Sequence, residues 1–163
     1  MIKIGLLSDT HGHLDDAIFR HFDACDEIWH AGDFGNIGVA DELAAFKPLR
    51  GVYGNIDGQD VRQAYPEHLR FECEEVDVWI THIGGYPGRY SPQVKRDIHL
   101  RPPKLFISGH SHILKVMFDK KLQCLHLNPG AAGKQGWHNV RTLMRFNVAG
   151  DRIENLEVVE LAK

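Results

Sequence analysis

The chain has 163 residues, a net charge of −3 and 43 % apolar residues, a length that suits one domain able to bury about two thirds of the surface its unfolded form exposes. This is ordinary globular composition, and the slightly acidic balance gives no reason to expect a polyanionic partner such as nucleic acid. The unusual number is histidine, at 11.

Read in chain order, apolar strand-like runs repeatedly end on side chains that bind metals. The run 2–7 precedes Asp9 and His11. Leu14, Ala17, Ile18, His21 and Phe22 then recur at helical spacing, with Asp15 and Asp16 in the first turn where the helix dipole favours acids. A strand at 27–30 leads to Asp33. Ile37, Ala40, Leu43 and Ala44 predict a second helix closed by Pro48, and 49–53 reads as a strand before Asn55. Strands follow at 69–73 and 76–81, the latter before His82; a third helix is expected over 91–100, ahead of Pro102 and Pro103. The run 104–108 precedes His110 and His112, and strands at 113–118, 122–127, 140–148 and 152–159 complete the chain. The pattern is β-α-β-α-β followed by a strand-rich half: two facing sheets with helices outside, in one domain over 1–163 with no linker to divide it.

Ligand crevices in open α/β sheets lie outside the carboxyl ends of strands, so residues just past five such ends can converge on one site. Seven candidates result: Asp9, His11, Asp33, Asn55, His82, His110 and His112, about enough for two ions sharing a carboxylate. Asp9 and His11 stand two apart and would face one side of an extended segment. Asp33 is the natural bridge, since one carboxylate can offer an oxygen to each of two ions, and Asn55 offers a neutral amide oxygen. His110 and His112 can each serve a different ion. Gly12, Gly32, Gly54 and Gly109 allow turns and close approach beside them. Oxygen and nitrogen donors without cysteine fit Mn, Fe, Co, Ni or Zn.

Cys25, Cys73 and Cys124 are widely spaced and odd in number, which reads as free buried thiols in a reducing compartment. The run up to Leu7 is too short for a secretion signal and no stretch approaches about 18 apolar residues, so a cytoplasmic protein without membrane contact is expected. His21, His68, His99 and His126 carry no assigned role. Trp29 and Trp79 read as core, and Lys95, Arg96, Arg101 and Lys104 as a solvated face.

Asp9-Thr10-His11-Gly12, Gly32-Asp33, Gly54-Asn55, Thr81-His82 and Gly109-His110-Ser111-His112, in this order, resemble the blocks of the calcineurin-like metallophosphoesterase superfamily. Through His30-Ala31-Gly32-Asp33 and Asn128-Pro129-Gly130-Ala131, residues 1 to about 133 are most similar to its small YfcE-like phosphodiesterases. The resemblance implies a four-layer α/β/β/α sandwich of two mixed sheets with a dinuclear site. Asp9, His11 and His112 would hold one ion, Asn55, His82 and His110 the other, and Asp33 would bridge. The implied cofactors are two divalent transition-metal ions, manganese first. The implied reaction is phosphodiester hydrolysis of a small substrate, by in-line attack of a metal-bridging hydroxide, with Asp33 and Asn55 in catalytic roles. A non-catalytic scaffold like the retromer subunit of this fold and a nuclease are the rival readings, and the oligomeric state is open, a homodimer included. One departure stands out. Most relatives follow Gly-Asn with His, a general acid, and the small YfcE-like proteins often have Cys there, whereas this chain has Ile56 and then Asp57. Good leaving groups, such as aryl esters, should therefore be favoured. His13 is the candidate substitute acid, otherwise a helix-start residue, and Asp57 could orient a ligand or nearby backbone.

Overall fold

The computed structural model describes all 163 residues. The elements are β1 (Ile2–Leu7), α1 (Asp16–Phe22), β2 (Glu27–His30), α2 (Ile37–Phe46), β3 (Leu49–Gly51), α3 (Gln59–Ala64), β4 (His68–Cys73), β5 (Val76–Thr81), β6 (Gly85–Tyr86), β7 (Arg89–Tyr90), α4 (Pro92–Leu100), β8 (Leu105–Ile107), β9 (Lys115–Asp119), β10 (Cys124–Asn128), β11 (Val140–Ala149) and β12 (Arg152–Ala162). One five-stranded sheet runs β12-β11-β1-β2-β3, the other β4-β5-β8-β10-β9, and β6 and β7 form a separate hairpin. In the first sheet β1, β2 and β3 are parallel, β11 pairs antiparallel with β1, and β12 pairs antiparallel with β11. In the second, β5, β8 and β10 are parallel, with β4 and β9 antiparallel at the edges.

Side chains alternate across each central strand, and this sorts the apolar residues into layers. Ile4 and Leu6 of β1, Trp29 of β2, and Met144, Phe146 and Val148 of β11 meet Val76, Val78, Ile80, Leu105 and Ile107 from the other sheet. Their neighbours turn outward. Leu7, Ile28 and Leu143 pack under Ile18 and Phe22 of α1 and Val39, Ala40 and Leu43 of α2. On the opposite outer face Trp79 and Phe106 pack under Val94 and Ile98 of α4. The result is the expected four-layer α/β/β/α sandwich with Trp29 and Trp79 in its core. The three cysteines are unpaired and buried. No helix is long and apolar enough to cross a membrane.

The helix starts are chemically explicit. Asp15 caps α1 by accepting from the Ile18 N–H at 3.3 Å, and Asn36 caps α2 by accepting from the Val39 N–H at 3.1 Å. Several boundaries differ from the periodicity. The strand expected over 49–53 stops at Gly51, because the Tyr53 N–H turns away to Pro66 O at 3.0 Å. The strand expected from 113 begins at Lys115. The short α3 and the two-residue strands β6 and β7 were not anticipated; with six and two residues they hold fewer than two periods of the helical or strand pattern, too few for a repeat to show.

His126 of β10 is 1 % exposed and donates from Nδ1 to Phe106 O at 3.1 Å. Burial holds its imidazole down to about 4. A folded-state value below that of the unfolded chain means the unfolded state binds more protons under about pH 6.5, so this contribution is whole above that pH and is lost as pH falls toward 4. Replacing the group removes the loss. Between pH 7 and pH 5 the stability drop of His126→Phe, measured by urea unfolding, should be smaller than that of the parent by about 2 kcal/mol.

Candidate metal centre

The carboxyl ends of β1, β2, β3, β5 and β8 carry the seven candidates, and the loops that follow are cross-linked to one another by backbone bonds. The N–H groups of Asp9, His11 and Gly12 donate to the carbonyls of Gly32, Asp33 and Phe34 at 2.9, 3.1 and 2.8 Å, so the loops after β1 and β2 run as a matched pair. From the loop after β10, Ala132 and Gly133 donate to Ser8 O and Asp9 O. Asp9 and His11 do not lie on an extended segment as their spacing suggested. Both are left-handed, with φ of 53° and 46°, as are Asp33 (59°), His110 (70°) and His112 (61°). For non-glycine residues this conformation is uncommon and strained, and five of the eight that adopt it here are candidate ligands. The glycines matter mainly through close approach: a Cβ at Gly54 would overlap Asp33 Oδ1, and one at Gly109 would overlap Ser8 Oγ.

Six candidates gather into two clusters, Asp9 with His11 and His112, and Asp33 with His82 and His110. Asn55 joins the second, its Oδ1 lying 3.0 Å from His110 Nδ1. The two carboxylates divide their oxygens in the same way. Asp9 Oδ2 accepts from Ser8 Oγ at 2.6 Å and from the His110 N–H at 3.1 Å, while Oδ1 faces His112 Nε2 at 3.2 Å, His11 Nε2 at 3.7 Å and His82 Nε2 at 3.8 Å. Asp33 Oδ1 accepts from the Ile56 N–H at 3.1 Å, and Oδ2 faces His82 Nε2 at 3.1 Å and His11 Nε2 at 3.4 Å. Asp33 therefore reaches both clusters through one oxygen and not through one apiece, since the other is occupied by backbone.

These donors fit divalent ions better than they fit each other. Asp9 Oδ1, His11 Nε2 and His82 Nε2 are buried without a hydrogen-bond partner, and such orphaned atoms are costly unless something else satisfies them. Donors bonded at about 2.1 Å to one ion stand about 3.0 to 3.4 Å apart, which brackets the shortest separations here. His82 Nδ1 lies 2.7 Å from Ala31 O. A carbonyl only accepts, so Nδ1 carries the proton and the neutral ring turns its Nε2 lone pair to the carboxylates, the usual arrangement of a metal-binding imidazole.

Charge is balanced locally. Burial alone would raise Asp9, but the facing imidazoles of His11, His112 and His82 and the hydrogen bond from the Ser8 hydroxyl hold it below the usual carboxylate range. His11 is raised chiefly by Asp9, and His82 is raised because Asp33 and Asp9 outweigh its burial. His110 is lowered, by burial and then by His82.

Two supporting residues complete the site: His30, given no role of its own by the sequence, and Asp57, for which ligand and backbone were both open. His30 is fully buried and stacks on Phe34 at 3.7 Å. Its Nδ1 accepts from the Gly32 N–H at 3.0 Å, which leaves Nε2 to donate to Thr10 Oγ1 at 3.0 Å, and Thr10 in turn donates to Phe34 O. Burial holds His30 down to about 3, so it stays neutral and ties the loops after β1 and β2 together. Asp57 orients backbone: Oδ2 accepts from Gly54 N–H at 2.8 Å and Phe34 N–H at 3.2 Å, and Oδ1 from Gly35 N–H at 2.9 Å. Only its position after Asn55 hinted at this. His13 lies outside both clusters, its Nε2 3.0 Å from Asp15 Oδ2, and Asp15 also pairs with buried Arg141 at 2.8 Å. That is a helix-start environment. Ile56 is 46 % exposed and brings no titratable side chain to the rim.

A model of the calcineurin-like phosphoesterase superfamily domain matches residues 2–151. A probable metallophosphoesterase of Methanothermobacter thermautotrophicus is 32 % identical over 136 residues, covering 78 % of this chain and 76 % of that protein. A phosphodiesterase of Methanocaldococcus jannaschii is 26 % identical over 146 residues, covering 79 % and 83 %. Among solved structures, a novel archaeal phosphodiesterase superposes with a TM-score of 0.79 at 22 % identity over 98 % of this chain and 100 % of that one. Chaetomium thermophilum Vps29 superposes at 0.77 with 14 % identity over 99 % and 97 %. At these identities the two structures speak for the fold alone.

Asp57→Ala should strand three backbone N–H groups that now share one buried carboxylate. A loss of about 3 kcal/mol in urea unfolding is expected, since bonds to a charged acceptor contribute about 1.5 to 3 kcal/mol each and water re-enters part of the gap. A loss under about 0.5 kcal/mol, the scale of an ordinary surface substitution, would mean that the carboxylate does not anchor these loops.

Proposed function

This chain belongs to the calcineurin-like phosphoesterase superfamily, and we propose that it is a divalent-metal-dependent phosphoesterase that hydrolyses small phosphodiesters. The observation that carries this reading is the orphaned set Asp9 Oδ1, His11 Nε2 and His82 Nε2, buried together with no partner in the chain. Asp9, His11 and His112 would hold one ion and Asn55, His82 and His110 another, with Asp33 Oδ2 between them. Ions held there would supply Lewis-acid chemistry, lowering the pKa of water and drawing charge from the phosphoryl oxygens, with manganese the first choice. The chain's own part is positioning. Ser8, the His110 N–H and the Ile56 N–H fix the two carboxylates, and Ala31 O sets the tautomer of His82. Exposed His110 and Asn55 lie at the solvent side of the site, where an ester can approach. The diester preference is supported by the phosphodiesterase of Methanocaldococcus jannaschii, not by the site itself.

The Vps29 likeness keeps a scaffold reading in view, and because a Vps29 of Entamoeba histolytica has been solved with zinc, ester hydrolysis decides between the two readings where metal binding alone does not. Metal analysis of the purified protein, with a panel of mono- and diesters, tests the choice. Two ions per chain and hydrolysis of bis(p-nitrophenyl) phosphate are expected, and Asp33→Ala should lose both. A chain that retains no metal and cleaves no ester would be a scaffold.

Without a general acid at position 56, the leaving group must depart largely unaided. A positioned acid contributes about 10² to 10⁴-fold to rate when the leaving alkoxide is basic and little when it is a stable phenolate. A steep dependence on leaving-group pKa is therefore expected at saturating metal, and Ile56→His should flatten it by raising the alkyl rates. If the parent is already flat and becomes steep in His13→Ala, then His13 supplies the proton.

A further inference from the structure

The hairpin of β6 and β7 belongs to neither donor cluster, yet it is firmly built. Pro87 and Gly88 form its two-residue turn, with Gly88 at φ of 86°, the arrangement of a type II turn with proline first and a left-handed residue second. Tyr86 and Arg89 pair directly across it, so their side chains share a face. Its base is fixed by Ser91 N–H to Gly84 O at 3.0 Å, Ser91 Oγ to Ile83 O at 2.7 Å and Ser108 Oγ to Gly85 O at 3.2 Å. From β9, Lys115 Nζ lies 3.8 Å from the centre of the Tyr86 ring.

Between this hairpin and His110 lies a cleft of about 200 Å³, lined in part by Tyr86, Arg89, Ser111 and Lys115. No carboxylate lines it, although the chain carries 22 acidic residues against 19 Lys and Arg. Arg89 and Lys115 are among the 13 of 19 Lys and Arg that form no ion pair, and what sets them apart is that both line one cleft without an acid. Ser111 Oγ accepts from the Ile113 N–H and from Asn128 Nδ2, both at 3.2 Å, so its own hydrogen is left to donate. An unpaired guanidinium, an unpaired ammonium and a free hydroxyl without a competing acid make a site for an anion. Because His110 belongs both to this wall and to the second donor cluster, the anion would be one carried by the substrate.

We propose that the cleft between the β6–β7 hairpin and His110 is an anion subsite, which receives a second carboxylate or phosphate on the same molecule whose ester phosphate sits at the donor clusters. This rests on the phosphoesterase reading for the position of the first phosphate. It narrows the substrate class to esters with a further negative charge a short distance from the scissile group.

The test is binding, so that it does not depend on turnover. Dissociation constants of phenylphosphonate, 4-carboxyphenylphosphonate and 1,4-phenylenediphosphonate are measured by calorimetry on manganese-loaded protein. At least one doubly anionic probe should bind about tenfold tighter than phenylphosphonate, the gain expected from a charge-assisted contact. The more tightly held probe identifies the anion. The gain should disappear in the Arg89→Gln/Lys115→Gln double variant and persist in Lys95→Gln/Arg96→Gln, which removes the same charge from the exposed face of α4. It should also shrink as salt rises. Doubly anionic probes that bind no tighter than phenylphosphonate, or a gain that survives in the Arg89→Gln/Lys115→Gln variant, would overturn the subsite. An intact binding preference in a protein that hydrolyses no ester would overturn the phosphoesterase reading and leave the subsite standing.

Discussion

Two carboxylates, Asp9 and Asp33, are buried to 0 % and 2 % exposure within a few ångströms of four imidazoles, and most of the local structure answers to that placement. A buried charge costs several kcal/mol unless it is paired and hydrogen-bonded. Each carboxylate therefore commits one oxygen to fixed donors, the neighbouring Ser8 hydroxyl and the distant His110 N–H for Asp9 and the distant Ile56 N–H for Asp33. Saturating one oxygen removes the freedom to rotate, so the other must face the imidazoles. The loops after β1, β2, β3 and β8 are brought together by these bonds, and the mouth of the sandwich closes around the two acids.

That geometry demands backbone conformations which the residues would not otherwise choose. Five of the seven candidate ligands are left-handed, at about 1 to 3 kcal/mol each. The strain persists because the loops are over-determined. Three backbone bonds join the loop after β1 to the loop after β2, His30 and Thr10 join them again by side chains, and Asp57 ties Phe34 and Gly35 to Gly54. Beneath them the parallel strands are held by the apolar layer between the sheets, so the loops stand on a base that does not yield.

The candidate site was legible in the sequence because strand-like runs and ligand side chains are both properties of residue type. Asp9 after Ile2–Leu7 and His110 after Leu105–Ile107 could be read without any knowledge of turns. What could not be read was geometry set by backbone. The spacing of Asp9 and His11 means a shared face only on an extended chain, and nothing in the residue names announces φ of 53° and 46°. The division of the Asp33 oxygens was hidden for the same reason, since the group that takes Oδ1 is the N–H of Ile56, a donor every residue but proline possesses. Asp57 was ambiguous because its partners are again backbone N–H groups, two of them 23 and 22 residues away. His30 looked like one more histidine of a motif; only burial and its two neighbours show it to be a neutral strut.

Ile56 separates two functions that a single position can carry. Its N–H holds Asp33, a task indifferent to side chain, while its side chain stands 46 % exposed at the rim. The backbone role is independent of the side chain, and exposure leaves that side chain clear of the buried donors. The side chain at 56 is therefore a detachable part of this scaffold, whereas Asp9 and Asp33 are not detachable, since each is bound into the backbone of neighbouring loops. Asp57 reinforces the division from below. It fixes Gly54 on one side of Ile56 through a bond that never involves the side chain at 56, so the loop keeps its shape whichever residue stands there.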